Sequence, residues 1–231
     1  MAARPRGGSG KSGRGVVETA GLAAKPGPEP SLSLDRIVAT AVELLDADGL
    51  DGLKMRRLAD RLGAGAMSLY WHVDNKEKVL DLALDAVLAQ RAYHSVEDWR
   101  EDIIRMLEDW RSCMLRHSWS ASLLPLRALG PNLMNRLERL GAALSRGGVK
   151  DAELNVAIWS LWNFTMGATI TRASFTRTDD TQTSGNEATL SDTAHPTLYR
   201  TRLLSDDDWD GVFRRGLDFL LDGFAGQPGR I

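Results

Sequence analysis

The chain has 231 residues, 43% of them hydrophobic, which is enough for a sizeable core in one large domain or two small ones. A formal net charge of −2 excludes a polycation that coats nucleic acid through overall charge, so any DNA affinity has to come from a local patch. The single cysteine, Cys113, excludes an internal disulfide framework and fits a reducing cytoplasm.

Residues 1–30 are rich in Gly, Pro, Ala and Arg and show no periodicity. They lack the apolar core segment of a signal peptide and are expected to form a disordered arm. Its charges are Arg4, Arg6, Lys11, Arg14 and Lys25 against Glu18 and Glu29. Such an arm can follow a DNA backbone, enter the minor groove, or remain a solvated tail. Ser33 is a plausible N-cap for a helix whose apolar stripe is Leu34, Ile37, Val38, Ala41, Leu44 and Leu45. Gly49 stops that helix. Its acidic residues make it a poor DNA contact, so its expected role is to pack behind residues 53–78.

Residues 53–78 organise the chain. Met55, Leu58, Ala59 and Leu62 lie at i, i+3, i+4 and i+7 on one helical face, while Lys54, Arg56, Arg57 and Arg61 project elsewhere. Gly63 can take the left-handed conformation that ends a helix. A second, brief helical pattern runs from Ala66 to about His72. Two short helices across a tight Gly63-Ala64-Gly65 turn make a helix-turn-helix, whose second helix can lie in a major groove. Asp74 then begins a helix with Glu77 three residues later, a capping-box-like start, and the helix is expected to reach about Gln90. Its N-terminus and Lys76 can face a phosphate. Any signal from the rest of the chain has to pass through this helix.

At Leu69-Tyr70-Trp71-His72-Val73, followed by Asn75-Lys76, the sequence resembles the reading-helix end of the tetracycline-repressor (TetR) family. Ala41-Val42-Glu43-Leu44-Leu45 and Asp48-Gly49-Leu50 resemble that family's first helix. The resemblance covers roughly residues 33–90, and beyond them it is one of helix layout. It implies an all-α fold, with an N-terminal three-helix DNA-binding domain over 31–76 and a helical bundle for ligand binding and dimerisation over 77–226. It also implies a ligand-responsive homodimeric regulator, expected to be a repressor that a small molecule releases from a palindromic operator. The DNA-contacting set is then Lys54, Arg56, Ala66, Met67, Ser68, Tyr70, Trp71, His72 and Lys76. Tyr70, Trp71, His72 and Lys76 are expected to position the protein on phosphates, while Arg56, Met67 and Ser68 can reach base edges.

From Val96 onward the pattern stays helical. A long helix spans about Val96 to Arg116. Pro125 and Pro131 punctuate a short helix and begin another, which ends near Arg146. An uncharged run, Leu154 to Thr171, sits in a helix from about Lys150 to Phe175. That run is near the minimum length for a membrane span, but its Asn, Ser and Thr content favours a buried helix. Thr176 to Ala194 reads as a mobile loop. Pro196 to Leu204 reads as a short helix, and Ser205 as the cap of a last amphipathic helix to about Phe224. Leu161, Phe213, Leu217, Leu220 and Phe224 are expected to need cover from a second subunit.

Met106, Trp110, Met114, Leu133, Trp159, Trp162, Asn163, Met166 and Phe175 would line an apolar pocket, with Asn163 as an orienting hydrogen-bonder; ordinary core is the competing reading. The sequence carries no HExxH, CxxC or GxSxG, no phosphate-cradling loop, and four scattered histidines. No enzyme, no cofactor and no metal are expected. The tetracycline-repressor resemblance places Leu124 and Thr171 near the positions of that type's metal-coordinating His and second-sphere Glu. Neither can serve, so the effector is expected to be apolar or aromatic and metal-free. A ligand-independent architectural DNA-binding protein is the alternative.

Overall fold

The computed structural model describes residues 32–89, 94–177, 193–201 and 208–225. The basic arm, Ser205 and most of the polar stretch expected to be a loop lie outside them. Ten α-helices are described: α1 Leu34–Gly52, α2 Met55–Leu62, α3 Ala66–Tyr70, α4 Lys76–Val87, α5 Trp99–Arg116, α6 Ser118–Leu123, α7 Pro131–Arg146, α8 Asp151–Arg177, α9 Pro196–Arg200 and α10 Trp209–Ala225. A 3-10 turn, Leu124–Leu126, joins α6 to the loop before α7. There is no strand among the described residues, as the sequence pattern implies.

The N-terminal helices form where local chemistry directs them. The Ser33 hydroxyl accepts from the Arg36 amide at 3.3 Å and starts α1. Gly49 breaks the regular helix with φ 66° and ψ −162°, a backbone region open in practice only to glycine. Gly63 ends α2 in the left-handed region at φ 65°. There its amide and that of Ala64 satisfy the carbonyls of Asp60 and Ala59, the orphan acceptors of a helix end. The cap of α4 is Asn75, not Asp74: its side chain accepts from the Lys78 amide at 2.8 Å. Asn75 takes the extended conformation of an N-cap, which leaves Asp74 outside the helix.

α1 packs on α4 and α2 over a core of Ile37, Ala41, Leu44, Leu45, Leu58, Leu69, Val79 and Ala83, all essentially inaccessible to water. The buried apolar core continues from these helices into the bundle. There α5 lies against α7 and α8, and α8 also packs on α7 and α10. Buried charges are paired, as their desolvation requires. The Asp102 carboxylate accepts from the Ser95 hydroxyl (2.8 Å) and the Val96 amide (3.1 Å), and pairs with Arg146. Arg111 of α5 pairs with Asp210 of α10 at 2.5 Å and lies over the Phe213 ring.

One sequence expectation is corrected by this packing. Leu161, Phe213 and Leu217 are buried within the protomer, where Phe213 stacks on Phe164 at a centroid distance of 5.4 Å. Leu220 and Phe224 are partly buried against the same core. The face that α8 and α10 leave uncovered carries Val156, Trp159, Ile170, Val212 and Phe219 instead. α8 thus carries large apolar side chains on both its buried and its uncovered sides, which its uncharged run Leu154–Thr171 does not distinguish.

Candidate DNA-reading surface and bundle interior

α3 is only five residues long, too short to hold itself by backbone bonds alone. It is held by Leu69, fully buried, and by Val73 just beyond it. With Leu69 fixed inward, Met67, Ser68, Tyr70, Trp71 and His72 point outward, together with Ala66. Trp71 is 86% exposed and Met67 76%, a large apolar area to leave in water. Trp71 and His72 follow the helix in a turn, so the reading helix is shorter than its pattern suggests.

The basic residues beside α3 divide into free and engaged. Lys54 and Arg56 are exposed. Arg56 has no charged or hydrogen-bonding partner among the described residues, whereas Arg57 pairs with Asp48 at 2.6 Å and also donates to the Gly52 carbonyl. Lys76 is half-buried and donates to the Leu50 carbonyl at 3.2 Å. It therefore ties α4 to the α1–α2 junction, a structural task beside the phosphate contact expected of it.

In the bundle the expected pocket residues separate into two groups. Met106, Trp110, Met114, Leu133, Trp162 and Met166 are buried. The Trp110 and Trp162 rings meet edge to face at 5.0 Å, and Trp162 meets Trp159 at 5.6 Å. Asn163 and Trp159 lie on the outward side of α8, and half-buried Phe175 packs on Trp209. Leu133 lies with Leu84, Leu88 and Leu124 where α7 meets α4. The space bounded by Met106, Leu107, Trp110, Arg136 and Leu140 is about 10 Å³, room for about one water. Trp110 Nε1 and Thr165 Oγ1 are buried without a hydrogen-bond partner among the described residues.

A larger cavity of about 700 Å³ lies between α1 and α4 on one side and α5 and α7 on the other. Leu34, Val38, Val42, Leu82 and Val87 make its apolar wall, and Asp109, Arg116, His117 and Arg136 its polar one. Cys113 opens onto it, donating to the Val87 carbonyl, and burial pushes its thiol pKa up. Leu124 is buried and Thr171 exposed. No cluster of three His, Cys, Asp or Glu side chains able to hold a metal occurs among the described residues. No described helix is long and apolar enough to cross a membrane.

The contacts that join α1 and α4 to the bundle carry no sequence motif. The Asp46 carboxylate of α1 accepts from Trp119 Nε1 at 2.7 Å and faces His117 Nδ1 at 2.8 Å. Arg127, Asn132 and Arg136 reach α4. The one available signal was the spacing of Glu77, Asp81 and Asp85, four residues apart along a single helix face.

Residues 37–84 match the family described as bacterial regulatory proteins, tetR family, and residues 94–227 match the tetracyclin repressor-like C-terminal domain. An HTH-type transcriptional regulator of Saccharopolyspora erythraea is 39% identical over 210 residues, covering 87% of this chain and 88% of that protein. The class A tetracycline repressor of Escherichia coli is 28% identical over 200 residues, covering 84% and 91%. Among solved structures, the TetR family protein ActR of Streptomyces coelicolor in complex with actinorhodin superposes with a TM-score of 0.73 at 33% identity. That match covers 87% of this chain and 99% of ActR. The likeness therefore extends through the bundle, well past the helix-turn-helix where the sequence motifs are dense. The chain belongs to the tetracycline-repressor family, and is a ligand-responsive, DNA-binding transcriptional regulator that works as a homodimer.

Proposed function

We propose that each subunit places α3 in one major groove of a near-palindromic operator, and that an aromatic, largely apolar effector entering the bundle ends that binding. The observation that carries the DNA half is the exposure of Met67 and Trp71 around a helix anchored by Leu69 and Val73. Arg56 is the side chain suited to bidentate contact with guanine. Ala66 and Met67 meet thymine methyls, and Ser68 can bond to a base edge. Lys54, Tyr70, Trp71, His72 and Lys76 settle the protein on phosphates. Residues 31–76 then act as the reading domain and 77–226 as the effector and dimer domain, with 1–30 as a basic arm.

The effector reading draws on the Trp110–Trp162 pair, the Met106, Met114 and Met166 side chains beside it, and the likeness to ActR, a protein solved with actinorhodin. A void of about 10 Å³ is far below the roughly 300–1,000 Å³ of a small-molecule pocket. Entry of an aromatic molecule has to part Trp110 from Trp162 and offers a partner to Trp110 Nε1. Such opening couples to α5 and α8, and ligand must bind the opened state better than the DNA-competent one. In this reading the protein acts in the cytoplasm, without catalytic chemistry and without a metal.

The test begins with DNA duplexes selected in vitro from random sequence by the wild-type protein. Band shifts on the selected duplex should weaken at least tenfold for Trp71→Ala, and actinorhodin should release the wild-type complex whether or not EDTA is present. Equal binding by Trp71→Ala would remove α3 from the interface. Release that EDTA abolishes would restore a metal to the effector.

A further inference from the structure

α4 is gripped from end to end by one short segment of the bundle. In its first turn Arg127 pairs with the Glu77 carboxylate and donates through Nη2 to the Glu77 carbonyl at 2.6 Å. Arg127 Nε donates to Asp81 one turn later, also at 2.6 Å. A further turn on, Asp85 accepts from the Asn132 amide (2.9 Å) and side chain (3.0 Å), and its carbonyl accepts from Asn132 Nδ2 at 3.1 Å. At the far end Arg136 Nε donates to the Leu88 carbonyl at 2.6 Å, while its Nη1 pairs with Asp109 of α5 at 3.0 Å. Gly130 lacks the Cβ that would collide with the Asp85 carboxylate. The acceptors 77, 81, 85 and 88 form one stripe of α4. The donors 127, 132 and 136 run parallel to it.

We infer that this polar seam sets the angle at which the reading helix is presented, making Arg127, Asn132 and Arg136 positioning residues for operator recognition. The inference rests on the proposed role of α3 in the major groove. α4 leads directly from α3 and carries Lys76, which is bonded to the Leu50 carbonyl, so α4 and the helix-turn-helix move together. A seam made of greasy contacts would resist separation but tolerate sliding and rotation. Hydrogen bonds and ion pairs are directional, and here they engage α4 at four levels, 77, 81, 85 and 88, which fixes both its tilt and its rotation. Because Arg127 is mostly screened from water, its guanidinium cannot trade these partners freely for solvent. Arg136 also touches α5, so a shift of α5 by effector reaches the end of α4 through one side chain.

In a dimer, the tilt of α4 determines the distance between the two reading helices, and therefore the half-site spacing accepted. The base preference within a half-site is set by α3 and is independent of the seam. Selection from random duplexes separates the two. Arg127→Gln and, from the other side of the seam, the double variant Glu77→Gln with Asp81→Asn should both keep the wild-type half-site sequence. Both should accept half-sites one or two base pairs further apart or closer, and bind the wild-type duplex at least tenfold more weakly. The α4-side variant touches no buried core, so it remains informative if Arg127→Gln does not fold. Wild-type spacing preference in a folded variant, with affinity either retained or reduced, would overturn the seam. Failure of the wild type to select paired half-sites would overturn the reading of α3 and the seam with it.

Discussion

The reading head and the bundle use the same large side chains in opposite ways. Around α3, Trp71, Met67 and Tyr70 stand in water while a small leucine-rich core holds the helix in place. In the bundle, Trp110, Trp162, Met106 and Met166 are buried, the two tryptophan rings meet edge to face, and the space beside Met106 and Trp110 holds about 10 Å³. A contiguous patch of large apolar residues held out in solvent adds little to the stability of the folded monomer and is the kind of surface kept for a partner. The same residues buried in a closed core contribute to stability whether or not a ligand ever displaces them. Composition cannot tell the two apart; exposure can.

Breaking this contrast should therefore give opposite results in the two regions. The largest effect is expected for Trp162→Ala, a loss of about 3–5 kcal/mol in urea unfolding, because its ring packs on two others and the surroundings cannot collapse to fill the space. A loss below about 1 kcal/mol would mean the bundle already contains an open pocket there. The uncovered face of α8 and α10 should behave like the surface around α3. Phe219 is 77% exposed, so Phe219→Asp should leave the fold intact, halve the mass in light scattering and abolish operator binding. Leu217→Asp, two residues away but wholly buried, should fail to fold instead. A dimeric Phe219→Asp would move the interface elsewhere.

Smaller effects are expected at single contacts. Arg56→Ala should cost about 1–3 kcal/mol in operator binding and relax one position of each half-site, while leaving the melting temperature unchanged. A uniform loss across operator variants would reassign Arg56 to the phosphates. Gly49→Ala should destabilise the protein by about 1–3 kcal/mol through backbone strain alone, since no neighbour lies near the added methyl. The smallest expected change is at Cys113. Its thiol pKa is raised by burial, so the protonated form persists at pH 8 and alkylation by iodoacetamide should be slow until the protein is unfolded.

Much of the fold was legible because helical periodicity and punctuation agree. Ser33, Gly49, Gly63 and Pro131 stand at or beside helix ends where their backbone chemistry requires them. The capping box at Asp74 was misplaced by one residue because Asn75 offers an equally good acceptor, and only the chain's direction into α4 decides between them. The helix-turn-helix is legible through the Gly63 turn and the Leu69-Tyr70-Trp71-His72-Val73 run. The face that α8 leaves uncovered is not legible in its sequence, because a run without charges gives no contrast between buried Leu161 and exposed Val156. Asn163 was read as inward for the same reason. Of the seam on α4 the sequence offers only the acidic spacing of Glu77, Asp81 and Asp85; the donors come from residues about fifty positions away, and one sequence does not report such pairings.

The aromatic and apolar side chains around α3 should meet DNA, while their counterparts in the bundle should not. Hydroxyl-radical footprinting read by mass spectrometry, with and without the selected operator duplex, measures both in one sample. Trp71, Met67 and Tyr70 should oxidise readily in the free protein and become protected when DNA is added, with Trp110 and Trp162 weakly labelled in both. Equal labelling of Trp71 and Met67 with and without bound operator would contradict the account.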